Sequence, residues 1–300
     1  HMMASRPRIL YIGMVSTEAY CEAINAHMFI GAASAKMSSI VLALRSVGQS
    51  SALISLPPLH GHDLSQMIYP VVTRRDGFPA AFFPVARTAV IRKLLGAIAL
   101  ASFAAKTVRP NDRVIFYNHA IEYALALLTL KLRRINTYHD IEDAPTRDDV
   151  GVRGVLSRVA FKITYNLTSS RKIVVSDVLA RSMGLDNYIA VRGIAATDTY
   201  NNTGEGNAEK WQALRDGEAL RVHYGGTLIA STGVELFCRT VELLATHDTS
   251  LKRPIQFIVT GVGEIDRIQR LAETLKQGKV EVIVYGSIDR GKYFDLLRSC

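Results

Sequence analysis

Leu220-Arg-Val-His-Tyr-Gly225-Gly226-Thr227 opens the last third of the chain, and its pattern returns twice, as Ile255-Gln-Phe-Ile-Val-Thr-Gly261-Val-Gly263-Glu264 and Val280-Glu-Val-Ile-Val-Tyr285-Gly286-Ser287. Each run is apolar and ends in glycine. Behind each come apolar residues three or four apart: Val234, Phe237, Val241 and Leu244; then Ile265, Ile268, Ala272 and Leu275; then Phe294 and Leu297 after a capping Asp289. That spacing is one face of a helix, and Thr232 with Glu235 predicts a capping box at the start of the first. Continuous apolar strands alternating with amphipathic helices predict a parallel sheet covered on both faces.

A sheet of this kind binds its ligand at the carboxyl ends of its strands, where these glycines fall. Glycine lets the backbone turn and approach a ligand closely, and the following helix start offers free N–H groups to an anion. The pattern therefore predicts a nucleotide or diphosphate site. Its phosphates would lie between a Gly225-Gly226-Thr227 turn and Thr232, and its base near Gly261, Gly263, Tyr285, Gly286 and Ser287. Any one of these glycines, taken alone, reads equally well as a simple strand end.

Working back from there, 300 residues leave room for two domains, and 48% hydrophobic with 21% charged residues suits soluble cores. The first two-thirds also read as α/β. Strands are predicted at Ile9–Ile12, Ser51–Leu56, Val114–Tyr117, Asn136–Tyr138, Lys172–Val175 and Tyr188–Val191. Helices fit at Ala32–Val47, Pro84–Val108, His119–Leu132, Val152–Thr168 and Asp177–Met183. Leu59–Pro84 has no clean period and reads as loop with short elements. The polar segment Ala195–Gly217 reads as the interdomain connection, giving domains 1–195 and 196–300.

The net charge of +9 asks for an anionic partner: nucleic acid, anionic lipid or a phosphorylated substrate. No arginine-rich run, zinc knuckle or aromatic RNA-binding motif is present, so nucleic acid is not expected. The helix over Val85–Val108 centres on the run Leu94–Phe103, shorter than the roughly 20 residues that cross a bilayer. With basic residues at its ends it reads either as a buried core helix or as a helix lying on a membrane surface. Three widely separated cysteines fit no metal spacing and suit a reducing compartment. The localisation expected is cytoplasmic, with peripheral contact at the inner face of the membrane as its extension.

Taken in order, these motifs resemble the GT-B glycosyltransferases of the large retaining class that uses nucleotide-sugar donors. The resemblance rests on Ile9–Gly13 as opening strand and turn, and on Gly31 followed by a helix ending Leu44-Arg-Ser-Val-Gly48. It continues through Val174-Val175-Ser176 and Val191-Arg192-Gly193-Ile194, then Tyr224–Leu228 with Gly233-Val234, Val259–Glu264, and Val284-Tyr285-Gly286. It implies two Rossmann-like domains with parallel sheets facing across a cleft, the second domain incomplete in this chain. It also implies a nucleotide-sugar donor, a saccharide or lipid-linked acceptor, and neither a cofactor nor a metal. Two departures stand out. Thr227 and Thr232 occupy positions where the family carries an arginine and a lysine on the donor diphosphate, and hydroxyls add no charge there. The family's paired-glutamate segment has no counterpart up to Cys300.

In the resemblance the first domain supplies catalysis. His119, after the strand ending at Tyr117, and His139, beside Asp140, Glu142 and Asp143, are the expected catalytic residues, with Asp140 and Glu142 holding the acceptor and Gly13 forming part of the donor wall. The carboxylates beside His139 would favour its protonated form. A metal at His139, Asp140 and Glu142 is possible on ligand type, but the spacing is unlike the usual sites. Two other readings stay open: a catalytically silent binder of carbohydrate or a partner, and a sugar epimerase on the same fold.

Overall fold

The computed structural model describes residues 7–25, 31–58, 69–86, 88–145, 151–191, 219–247, 250–275, 278–288 and 290–300. The connection expected over Ala195–Gly217, the Arg192-Gly193-Ile194 turn and Asp289 lie outside them. The chain divides into two compact units, His1–Ala196 and Thr197–Cys300.

The first unit begins β1 (Ile9–Gly13), α1 (Glu18–Ala23), α2 (Ala32–Ser46), β2 (Ser51–Ser55), β3 (Val71–Thr73), β4 (Ala80–Phe82) and α3 (Ala89–Lys106). It continues β5 (Arg113–Tyr117), α4 (Ala124–Leu132), β6 (Asn136–Ile141), α5 (Gly151–Leu167), β7 (Lys172–Val174), α6 (Asp177–Ser182) and β8 (Tyr188–Ala190). Its eight strands run in the order β3-β4-β2-β1-β5-β6-β7-β8, all pairs parallel except β3 with β4. The pair β3 and β4 lies inside Leu59–Pro84, expected to be mostly loop. Three-residue strands are too short to show an alternation, and they hold because Ala80 and Phe82 are buried beside β2.

Apolar residues on both faces of these strands make two cores. Leu10, Ile12, Ile54, Val114 and Phe116 pack under α3 and α4. On the other face Tyr11, Leu53 and Phe82 pack with Met37 and Val41 of α2. Lys172, almost fully buried at the start of β7, closes the end of α5: its ammonium donates to the Tyr165 and Ser169 carbonyls at 2.7 Å and to the Thr168 hydroxyl at 2.8 Å. A cation suits that place, because the last carbonyls of a helix carry partial negative charge.

The second unit is the sheet β11-β10-β9, wholly parallel, from β9 (Leu220–Leu228), β10 (Ile255–Gly263) and β11 (Val280–Gly286). Helices α7 (Val234–Thr246) and α8 (Ile265–Thr274) share one face, where Val234, Cys238, Val241, Ile268 and Leu271 bury Phe257, Val259 and Val282. Helix α9 (Arg290–Ser299) reaches the other face, where the Tyr293 ring meets His223 edge-on, 5.3 Å between centroids.

The glycine ends differ from the expected turn. β9 runs on through Gly225, Gly226 and Thr227, paired with Thr260, Gly261 and Val262 of β10. The extension works because Gly226 and Gly261 adopt φ values of +127° and +135°, open to glycine and strained for other residues. At Gly261 there is a second constraint: an added Cβ would lie 1.8 Å from the Gly226 carbonyl oxygen, whereas one at Gly226 meets nothing within 4 Å. Gly226→Ala should therefore cost only backbone strain, about 1–3 kcal/mol, and Gly261→Ala clearly more. Urea unfolding of the two variants measures the difference; equal losses would refute the close approach as the reason for Gly261.

Candidate functional site

In the first sheet the chain leaves β1 for β2 on one side and β5 for β6 on the other. The carboxyl edge between β1 and β5 is thus a topological switch point, where open α/β sheets form their ligand crevice. Four elements bring polar side chains there. From α2, the Lys36 ammonium lies 3.3 Å from the Asp140 carboxylate and 3.1 Å from that of Glu142. From β1, the Tyr11 hydroxyl donates to Asp140, and from β5 the Tyr117 hydroxyl donates to Glu142 at 2.5 Å. Lys36 also stands 5.2 Å from the centre of the Tyr117 ring. Asn118, with φ of +51°, pins the loop after β6: its side-chain oxygen accepts the Glu142 and Asp143 N–H groups at 2.8 and 3.0 Å. Its side-chain nitrogen donates to the Asp143 carboxylate at 3.1 Å.

The cluster is graded in depth. The Asp140 side chain is 1% exposed, Lys36 10% and Glu142 29%. Burial pushes the Asp140 carboxyl up from its ordinary value, while the Lys36 ammonium and the Tyr11 hydroxyl draw it back down. Burial, and then the neighbouring carboxylates, push the Tyr11 and Tyr117 hydroxyls well above the ordinary phenol range, so both stay donors. Glu142 is the member a ligand can reach. Lys36, Tyr11, Tyr117 and Asn118 escaped the sequence reading. The one local signal was a tyrosine on each of two largely apolar strands, and their partners lie far away in the chain.

The two histidines stand outside this cluster. β6 does not stop at Tyr138 but runs through Ile141, so His139 and Asp140 are consecutive strand residues and point to opposite faces. His139 is fully buried beside Phe161 of α5, 5.6 Å between ring centres. Burial, and then the Lys172 ammonium, lower its pKa to about 3. The expectation that nearby carboxylates favour its protonated form is corrected on both counts: they are on the other face, and the ring is neutral. A side chain so enclosed cannot touch a substrate, and it cannot share a metal with Asp140. His119, half-buried, joins the same α5 face, its Nε2 2.8 Å from the Ser157 hydroxyl and its ring edge-on to Phe161. Gly13 is buried at the end of β1, where a Cβ would fall 2.5 Å from the Met37 sulfur, so its smallness serves the seating of α2.

Beside this edge, a cavity of about 110 Å³ is lined by apolar groups including Met14, Leu56 and Val85, together with Arg92 and Glu122.

In the second unit Thr227 and Gly226 are exposed in β9, and Gly263 ends β10. Tyr285 is 50% exposed at the end of β11, followed by Gly286 at φ +66° and an exposed Ser287. Thr232 does not cap α7, whose N-cap is Gly233 at φ +91°. Its hydroxyl instead closes the turn before the helix, facing the Thr227 and Ile229 carbonyls and accepting the Ile229 N–H at 3.1 Å. His223, not anticipated as a site residue, has its Nε2 2.8 Å from the Thr260 hydroxyl on the α9 face.

No family model matches the sequence, and it matches no curated protein. Solved structures do resemble it. The α,α-trehalose-phosphate synthase (UDP-forming) of Burkholderia xenovorans, in complex with glucose-6-phosphate, superposes with a TM-score of 0.57 at 10% identity, over 95% of this chain and 75% of its own. The UDP-GlcNAc 2-epimerase of Neisseria meningitidis bound to UDP-GlcNAc gives 0.50 at 11% identity, over 97% and 75%. That of Methanocaldococcus jannaschii gives 0.50 at 14%, over 96% and 76%. The chain thus spans about three-quarters of the length of these proteins. At such identities the likeness concerns the fold, and the fold is GT-B.

The burial of His139 has a measurable consequence. Its folded pKa lies below the ordinary 6.5, so as pH falls the unfolded chain takes up this proton first. The stability it contributes is complete above about pH 6.5 and is lost between there and about pH 3, by up to about 1.4 kcal/mol per pH unit. His139→Leu should flatten the dependence of the urea midpoint on pH across that window. An unchanged slope would mean the imidazole is not buried in its neutral form.

Proposed function

We propose that the chain is a nucleotide-sugar-dependent glycosyltransferase, transferring a sugar with retention from a nucleotide diphosphate sugar to a saccharide or lipid-linked acceptor. UDP-sugars are the first donors to try, since the synthase and epimerases it resembles are described with UDP or UDP-GlcNAc. The observation that carries the reading is the Lys36-Asp140-Glu142 cluster at the switch point of the first sheet. Asp140 and Lys36 are locked in place, and Glu142 stands in front of them, partly open. A carboxylate so placed can accept the hydrogen bond of an acceptor hydroxyl and orient it toward the anomeric carbon on the face the nucleotide leaves, as retention requires. His119 lies near the same edge, as a second group for the acceptor side.

The donor is assigned to the carboxyl edge of the second sheet. Its phosphates lie near Gly225, Gly226 and the start of α7, and its base is set against Tyr285, with Gly261, Gly263, Gly286 and Ser287 around it. A second reading, sugar epimerisation, is supported by one observation: two of the structures that share this fold are UDP-GlcNAc 2-epimerases.

Calorimetry with UDP and other nucleoside diphosphates tests the donor site; failure of all of them to bind would overturn both readings. With a binding donor, nucleotide release is followed with and without saccharide and polyprenyl phosphate acceptors. Release that needs an acceptor, giving a product of retained anomeric configuration by proton NMR, is the expected result; an epimerised sugar without acceptor would replace transfer by epimerisation. Glu142→Gln should lower kcat about 100-fold or more while leaving donor affinity within about twofold.

A further inference from the structure

Among the described residues 26 large apolar side chains are exposed, and 11 of them lie on three neighbouring helices of the first unit. On α3, Val90, Leu94 and Ile98 follow one another at four-residue steps, with Ile91 beside them. On α4, Leu125, Leu128 and Leu132 repeat at three and four. On α5, Val152, Val155 and Val159 do the same, joined by Leu156. Helix α4 packs against both α3 and α5, so the stripes lie side by side on the outer surface of one sheet face. Each helix also buries an inner face, through Leu100 and Ala104, Leu127 and Leu130, and Ala160 and Thr164. Helices that present apolar side chains on both sides belong at the boundary of a core or a membrane, yet among the described residues these outer stripes stay exposed. None of the described helices is long and apolar enough to cross a bilayer.

The charge on these helices names the occupant. α3, α4 and α5 contain no Asp or Glu, and they carry seven Lys or Arg, including Lys93, Lys131, Arg158 and Lys162. The whole basic excess of the chain lies in this unit: 23 Lys+Arg against 13 Asp+Glu up to Ala196, a net +10, and 13 against 14 after it, a net −1. A second copy docked on the same face would set these cations against their own kind. A surface that is apolar just beneath a layer of negative charge answers both properties at once.

We propose that the outer face of α3, α4 and α5 seats the protein on an anionic lipid bilayer. The valines and leucines enter the boundary between headgroups and acyl chains, and the lysines and arginines reach lipid phosphates along the rim. α4 and α5 follow the carboxyl ends of β5 and β6, and α3 runs down to the start of β5, so all three helices begin at the carboxyl edge. The seated face therefore adjoins the edge that holds Glu142 and the cavity lined by Arg92. The inference goes beyond the transferase reading and stands without it, since vesicle binding is measured with no donor or acceptor present.

The test is co-sedimentation of the full chain with sucrose-loaded vesicles of phosphatidylcholine alone or mixed equally with phosphatidylglycerol. Binding should be at least about tenfold tighter to the mixed vesicles, and weaker in about 1 M salt, where screening shortens the reach of charge to about 3 Å. Leu94→Gln, Leu128→Gln and Leu156→Gln together should weaken it about tenfold or more, with circular dichroism and the urea midpoint unchanged because all three are exposed. Leu236→Gln, on α7 and 71% exposed, should leave binding as it is. No binding to the mixed vesicles would overturn the proposal. So would a triple variant that binds like the unmodified chain, or light scattering showing a dimer that the triple substitution dissolves.

Discussion

Asp140 is a carboxylate that the first unit cannot bring to water. It stands in the middle of a parallel sheet, with β5 and β7 on either side and α2 above, and a lone charge there would cost several kcal/mol. The fold accommodates it by carrying a cation across from another element. Lys36 reaches in from α2, Tyr11 donates from β1, and what is left of the Lys36 charge goes to Glu142. The arrangement fixes more than one side chain. It holds α2 over the carboxyl ends of β1, β5 and β6, and it sets the direction of the chain after β6, which Asn118 then secures through two backbone N–H groups. Glu142 owes its position to both. It is held by the Lys36 ammonium, the Tyr117 hydroxyl and the Asn118 side chain.

The same ion pair explains what local sequence could and could not tell. Alternating apolar runs and three-to-four spacings mark the strands and helices because burial is what those patterns encode, and the doubly covered sheets follow. β6 broke the rule. Its Asn136-Thr-Tyr-His-Asp reads as the end of a strand, since polar residues in a run usually mean solvent. These are polar residues with partners: Lys36 lies 104 residues from Asp140 and Tyr11 lies 129. No window along the chain contains both halves of such a contact. Once the strand is seen to continue, alternation separates His139 from Asp140, and two neighbours in sequence become residents of different cores. In the second unit the opposite error arose. Gly225-Gly226 and Gly261-Val-Gly263 look like turns, yet two glycine-rich segments can extend a parallel pair, with Gly261 and Gly263 set where the partner backbone leaves no room for a Cβ.

The distribution of charge between the units bears on how a diphosphate would be met. The second sheet has glycines and hydroxyls at its carboxyl edge, and the first turns of α7 and α8 hold Glu235 and Asp266. A helix start contributes roughly half a positive charge, and a carboxylate in the same turn offsets much of that for an incoming anion. The excess of positive charge lies on the first unit, net +10 against −1, and the three helices whose outer sides are also apolar carry seven Lys or Arg and no Asp or Glu. Cations without carboxylates on helices with exposed apolar sides fit the anionic surface proposed above. If that face is seated on a bilayer as proposed, the carboxyl edge that holds Glu142 adjoins the lipid surface, where an acceptor anchored in lipid would present its hydroxyl.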